Sequence, residues 1–145
     1  MRRLWAAALA PALGLAFVVM ASGPADAFGS EVLGCWFTPQ TWTAGSCTGQ
    51  TQAIYSVHNL SGTYSYAWTF TMKGTPLALS SCAPPNGGAC IASGCTATSS
   101  TCTVNDSPLV DRTITATVRL TQSGLSRSIS ASATFQPDGG TCGGC

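Results

Sequence analysis

The stretch that decides the fold is TITATVRLTQ (residues 113–122), followed by SGL (123–125) and SRSISASATF (126–135). In the first run Ile114, Ala116, Val118 and Leu120 alternate with Thr115, Thr117, Arg119 and Thr121. In the last, Ile129, Ala131, Ala133 and Phe135 alternate with Ser128, Ser130, Ser132 and Thr134. Strict period-two alternation marks strands that bury one face, and Ser123-Gly124 between them is a hairpin turn. TYSYAWTFTM (63–72) repeats the pattern, with Tyr64, Tyr66, Trp68, Phe70 and Met72 on one face. TQAIYSVHNL precedes it and turns Ala53, Tyr55 and Val57 inward, with the turn between the two at Asn59 to Gly62. TPLALS and TCTV are shorter strand candidates. Helical periodicity is missing after residue 27, and turn residues recur every eight to twelve positions. The expected fold is all-β, an antiparallel two-sheet sandwich stapled by disulfides.

The order IYSVHNLSGTYSYAWTF, then RTITATVRLTQSGLSRSISASATF, resembles a bacterial immunoglobulin-like or PKD-like sandwich over roughly residues 50 to 136. The resemblance implies that the first stretch is the B–C hairpin, with Trp68 as core tryptophan, and the second the F–G hairpin. Neither stretch contains a cysteine, so the inter-sheet disulfide of antibody domains has no counterpart there.

The N-terminus reads as an export signal. Arg2 and Arg3 precede an apolar run from Leu4 to Met20, Ser22-Gly23-Pro24 breaks it, and Ala25-Asp26-Ala27 suits signal peptidase. Cleavage is expected after Ala27, leaving a secreted, monomeric domain with no membrane span. The organisation expected is a signal peptide (1–27), an N-terminal segment with an aromatic cysteine loop (28–49), the sandwich (50–136) and a Gly/Cys tail (137–145). High Ala, Gly and Thr with Arg favoured over Lys suit a GC-rich bacterial source.

After residue 27 the charges are Lys73, Arg112, Arg119 and Arg127 against Glu31, Asp106, Asp111 and Asp138, so they cancel. Phosphate backbones and anionic lipid both need clustered cations, which argues against nucleic acid and membrane surfaces as partners.

All eight cysteines lie beyond the signal, and an even count in an oxidising compartment reads as disulfides. The most local pairing is Cys35–Cys47, Cys82–Cys90, Cys95–Cys102 and Cys142–Cys145, one of 105 connectivities that eight cysteines allow. Cys142-Gly143-Gly144-Cys145 has no helix after it to lower a thiolate pKa, and its terminal carboxylate opposes a second negative charge. A zinc site would need a second close pair and competes poorly with oxidation. A structural clip is expected, with the variant that the tail ties to Cys35 or Cys47. No metal or cofactor is expected.

His58 is the only histidine, and no Gly-x-Ser-x-Gly elbow accompanies it, so a hydrolytic triad is not expected. Asp106 and Asp111 could approach across a turn as a glycosidase pair would, but Asn105-Asp106-Ser107-Pro108 reads as turn chemistry. The segment CWFTPQTWTAGSC (35–47) is more informative, since it places Trp36, Phe37 and Trp42 in one stapled loop. Rings on a rigid loop stack on sugars or anchor a protein partner; the alternative is that they cap the core. The second candidate surface is the stapled loop SSCAPPNGGACIASGCTATSSTC (80–102), with Pro84, Pro85 and Asn86 as its candidate contacts. The sequence therefore predicts a non-enzymatic extracellular module that binds protein or glycan, or a structural envelope protein. The alternative is a disulfide-stapled protease inhibitor or toxin-like effector.

Overall fold

The computed structural model describes residues 29–83 and 88–137. The cleavage site at Ala27, Pro84, Pro85, Asn86 and the Cys142–Cys145 pair lie outside them. Ten strands run in the order β1 (Val32–Phe37), β2 (Thr43–Ala44), β3 (Ser46–Gly49), β4 (Gln52–His58), β5 (Ser65–Met72), β6 (Thr75–Leu77), β7 (Cys90–Gly94), β8 (Thr101–Asn105), β9 (Arg112–Gln122) and β10 (Leu125–Phe135). One sheet has the order β2-β1-β4-β8-β7 and the other β3-β10-β9-β5-β6. All ladders are antiparallel except β3 alongside β10. The all-β, two-sheet, disulfide-stapled architecture is that expected from the sequence.

The β9–β10 hairpin is the longest ladder, with Gln122 opposite Leu125 and Arg112 opposite Phe135. Its two-residue loop has positive φ at both Ser123 (49°) and Gly124 (81°), the primed turn whose twist matches the flanking strands. Lys73 (50°) and Gly74 (77°) close β5 onto β6 in the same way. The alternating apolar residues face inward: Ile114, Ala116, Val118, Leu120, Ala131, Ala133 and Phe135 are all buried. The hydroxyls on the opposite face pair across the strands, Thr113 with Thr134 (2.9 Å), Thr115 with Ser132 (2.8 Å) and Thr117 with Ser130 (2.7 Å). Such cross-strand pairs add a few tenths of a kcal/mol each, roughly. They explain how a sheet surface so poor in charge stays polar.

One expectation is corrected. The IYSVHNLSGTYSYAWTF stretch is not a hairpin, because β4 and β5 belong to different sheets. Asn59 (φ 61°) and Gly62 (φ 95°) instead help the chain cross from one sheet to the other. The reason is that both strands bury a face, and those faces meet: the Tyr55 and Phe70 rings pack edge-on at 6.4 Å. Alternation identifies the buried face of each strand but not which strand lies beside it. Trp68 is packed against the core from the rim, its Nε1 donating to the Ser99 carbonyl at 3.2 Å.

The described part of the 28–49 segment belongs to the sandwich, since β1 and β2 join one sheet and β3 the other. The Cys35–Cys47 bond therefore links the two sheets. Tyr55 Oη reinforces that link by donating across the core to the Ile114 carbonyl at 2.9 Å. Phe37 and Phe135 add an edge-to-face contact at 5.1 Å. Gly49 is glycine because a Cβ there would overlap the Phe37 ring. Cys82 bonds Cys90 and Cys95 bonds Cys102, bracing β7 along β8, so the three sequential pairings within the described residues are those expected. With Cys35 and Cys47 joined to each other, neither is left for the tail.

Candidate functional site

Along β1, Leu33, Cys35 and Phe37 face the core, so Val32, Gly34 and Trp36 face outward. Their partners on β4 follow the same rule: Val32 lies opposite His58, Gly34 opposite Ser56 and Trp36 opposite Ile54. Beyond β4, Ile54 is opposite Thr103 and Gln52 opposite Asn105 on β8. The outer face of β1–β4–β8 is thus a patch of aromatic, aliphatic, hydroxyl and amide groups. None of these outward residues carries a carboxylate, ammonium or guanidinium.

Trp42 comes to this face from the turn before β2. It lies over Gly34, where a Cβ would collide with the indole and with the Thr43 carbonyl. Its Nε1 donates to the Ser56 carbonyl at 3.3 Å, and its ring stacks on the His58 imidazole at 4.1 Å and 15°. Gly34 and Trp36 are two residues apart on one side of a strand, about 7 Å. Trp36 and Trp42 thus lie on the same outer face, each partly exposed, with the Trp42 ring turned toward Ser56 and His58. Beside them, Gln52 Nε2 donates to Asn105 Oδ1 at 3.0 Å, which leaves the Gln52 carbonyl and the Asn105 amino group open to a ligand.

Of the three rings singled out from the sequence, the structure places Trp36 and Trp42 on the same outer face and separates Phe37. Phe37 is 1% exposed and belongs to the core, so it has no surface to offer a ligand. His58 is exposed on one side and stacked against Trp42 on the other, and among the described residues no carboxylate accepts a hydrogen bond from it. Asp106 and Asp111 do not form a pair. Asp106 is buried, accepting from Arg112 Nη1 at 3.0 and 3.2 Å, while Asp111 is exposed. Asp106, at the start of the 106–111 connection, is thus a buried ion-paired anchor. Among the described residues, no group of three or more His, Cys, Asp or Glu side chains could hold a metal ion.

Sequence reasoning missed Glu31, which is 1% exposed. Its Oε1 accepts from the Tyr64 hydroxyl at 2.7 Å; Oε2 accepts from the Gly29 amide at 2.7 Å and from Arg127 Nη1 at 3.2 Å. Burial pushes this carboxyl up, but the Tyr64 hydroxyl, main-chain N–H groups and the Arg127 guanidinium outweigh it and hold it below the usual carboxylate range. With every oxygen satisfied by the fold, Glu31 pins the start of β1 to β10 and to the β4–β5 crossing.

A concavity opens away from this face, beside β6 and β7. It is a cleft of about 380 Å³ lined by Trp68, Phe70, Leu77, Leu79, Ile91 and Cys95 among others. The Trp68 indole N–H at its wall is already committed to Ser99. No helix among the described residues is long and apolar enough to cross a membrane. No protein-family model matches the chain, and neither does any curated protein or solved structure.

Proposed function

We propose that this chain is an exported, non-enzymatic β-sandwich module that binds a neutral glycan on the outer face of β1–β4–β8. The observation that carries the reading is the placement of Trp36 and Trp42 on one outward face without charged groups. Indole faces stack on the C–H faces of sugar rings, and neighbouring amides and hydroxyls supply directional hydrogen bonds. Gln52, Asn105 and Thr103 stand in that position. The lack of cations on the face favours an uncharged polysaccharide over an acidic one.

Three disulfides suit an oxidising compartment, and hence export. The strand order also supports an immunoglobulin-like assignment. β1-β4-β8-β7 follows the order A-B-E-D, and β6-β5-β9-β10 the order C′-C-F-G, with β3 running parallel beside the last strand. A non-enzymatic role is supported by the engagement of His58 with Trp42 and of Asp106 with Arg112.

The test is retention of the purified protein on cellulose, chitin and mannan. Binding to one of them, weakened about 30-fold or more by Trp36→Ala while melting changes little, supports the proposal. If retention persists in Trp36→Ala, or no neutral polysaccharide is bound, the proposal is wrong.

A further inference from the structure

The cleft beside β6 and β7 is a packing gap with a definite cause. Leu77 lies opposite the buried Phe70, and Leu79 follows it; both leucines pack against the core while lining the cleft. Across from them β7 supplies Ile91 and then loses register. Its ladder to β8 shifts between Ile91 and Ser93, and Ala92, Ser93 and Gly94 are exposed. Packed sheets interdigitate their inner side chains across about 10 Å, and here one layer runs out. The space left is about 380 Å³, against roughly 150 Å³ for a cavity that holds benzene.

The walls of the gap are fixed, so it does not close by collapse. Cys82–Cys90 and Cys95–Cys102 brace β7. The Tyr66 amide donates to the Ala97 carbonyl at 3.0 Å and Trp68 Nε1 to the Ser99 carbonyl at 3.2 Å, which ties β5 to the turn after β7. The cleft is therefore shut at its Trp68 end. Its lining of Trp68, Phe70, Leu77, Leu79 and Ile91 includes no charged residue. The polar side-chain groups on it are committed, the indole N–H to Ser99 and the Thr69 hydroxyl to the Thr117 carbonyl. Such a lining favours hydrocarbon over sugar.

A charge stands beyond the other end. Past the Phe70–Leu77 pair the hairpin continues through Met72 and Thr75 to its turn at Lys73 and Gly74. Lys73 is three residues from Phe70, roughly 10 Å along the strand, a distance that the lysine stem and the protruding head of a bound chain cover between them. Arg112 is paired with Asp106, Arg127 with Glu31, and Arg119 donates to Ser126. Among the described residues, Lys73 is the cation left with no ion pair or hydrogen bond. We propose that this cleft binds a medium-chain free fatty acid, with its methyl end toward Trp68 and its carboxylate at Lys73. One free cation suits one carboxylate, whereas an anionic membrane surface draws on several. The site lies away from the β1–β4–β8 face and does not depend on the glycan reading.

The test is calorimetric titration of the disulfide-bonded protein with hexanoate, octanoate and decanoate, with 1-octanol as the uncharged control. The expected result is one-to-one binding that tightens about ten-fold for each added pair of methylenes. In a nitrogen–proton spectrum the Trp68 indole signal should shift on adding decanoate, while those of Trp36 and Trp42 stay still. Lys73→Glu changes an exposed turn residue, so its melting should match wild type. It should weaken octanoate about fivefold or more and leave 1-octanol binding as it was. Any of four results overturns the proposal: no saturable binding of decanoate, affinity that ignores chain length, shifts at Trp36 or Trp42 in place of Trp68, or equal octanoate affinity in Lys73→Glu.

Discussion

Replacing Glu31 by Gln should destabilise the domain strongly near neutral pH and scarcely at all in acid. The carboxylate receives donors on both oxygens: Tyr64 on one, Gly29 and Arg127 on the other. A glutamine can keep its carbonyl toward Gly29 and Arg127, but its NH2 group then faces Tyr64, whose hydroxyl must turn from donor to acceptor, and the charge that strengthens all three contacts is lost. Hydrogen bonds to a charged group contribute roughly 1.5–3 kcal/mol each, against about 1 kcal/mol for neutral ones. Arg127 is more than a third exposed, so its attraction is screened and adds little. A loss of about 2–4 kcal/mol follows, or about 8–16 °C in melting temperature for a domain of this size.

The pH dependence has a definite sign. Glu31 is held below its unfolded value, so its contribution is present above the unfolded carboxylate pKa of about 4.3 and disappears as pH falls through the folded value. Thermal melts followed by circular dichroism at pH 7 and pH 3 test this. Wild type and Glu31→Gln should differ widely at pH 7, and the gap should narrow at pH 3. Equal melting at pH 7, or a gap that persists unchanged in acid, would refute the assignment of Glu31 as a buried, charged anchor.

Phe37→Ala should cost roughly 3–5 kcal/mol, since it empties a fully buried site against Phe135, whereas Trp36→Ala on the outer face should cost under about 1 kcal/mol; paired denaturation curves separate the two. Replacing Cys35 and Cys47 together by Ala should lower stability by about 3 kcal/mol, because the bond closes a short loop and ties the two sheets; a melting temperature within a few degrees of wild type would contradict that role. Gly34→Ala should displace the Trp42 indole from the β1 backbone, and loss of its hydrogen bond to Ser56 should appear as faster solvent exchange of the indole N–H.

The parts of the fold legible in the sequence are those where one face meets water and the other the core. β9 and β10 alternate strictly because their outward residues are hydroxyls, and β4 and β5 show the same signal. β1 is illegible because Trp42 covers the outward side of Gly34, so VLGCWF is apolar on both faces and shows no period of two. β2, β3 and β7 are edge strands too short for any period to register. The site was half legible. Aromatic residues between two cysteines marked the right segment, but only the strand assignment of β1 separates Phe37 inside from Trp36 outside. Glu31 gave no signal, because its partners Tyr64 and Arg127 lie 33 and 96 residues away and only the fold brings them to it.

The most direct test of the glycan-binding account is a nitrogen–proton correlation spectrum of the indole N–H groups, recorded while a soluble neutral glycan is titrated in. Trp36 and Trp42 share the proposed contact face, and Trp68 at the opposite sheet's rim is an internal control. The account predicts saturable shifts of the Trp36 and Trp42 signals with Trp68 unmoved. Shifts confined to Trp68, or three signals that stay still across mannan, xylan and soluble chitin fragments, would contradict it.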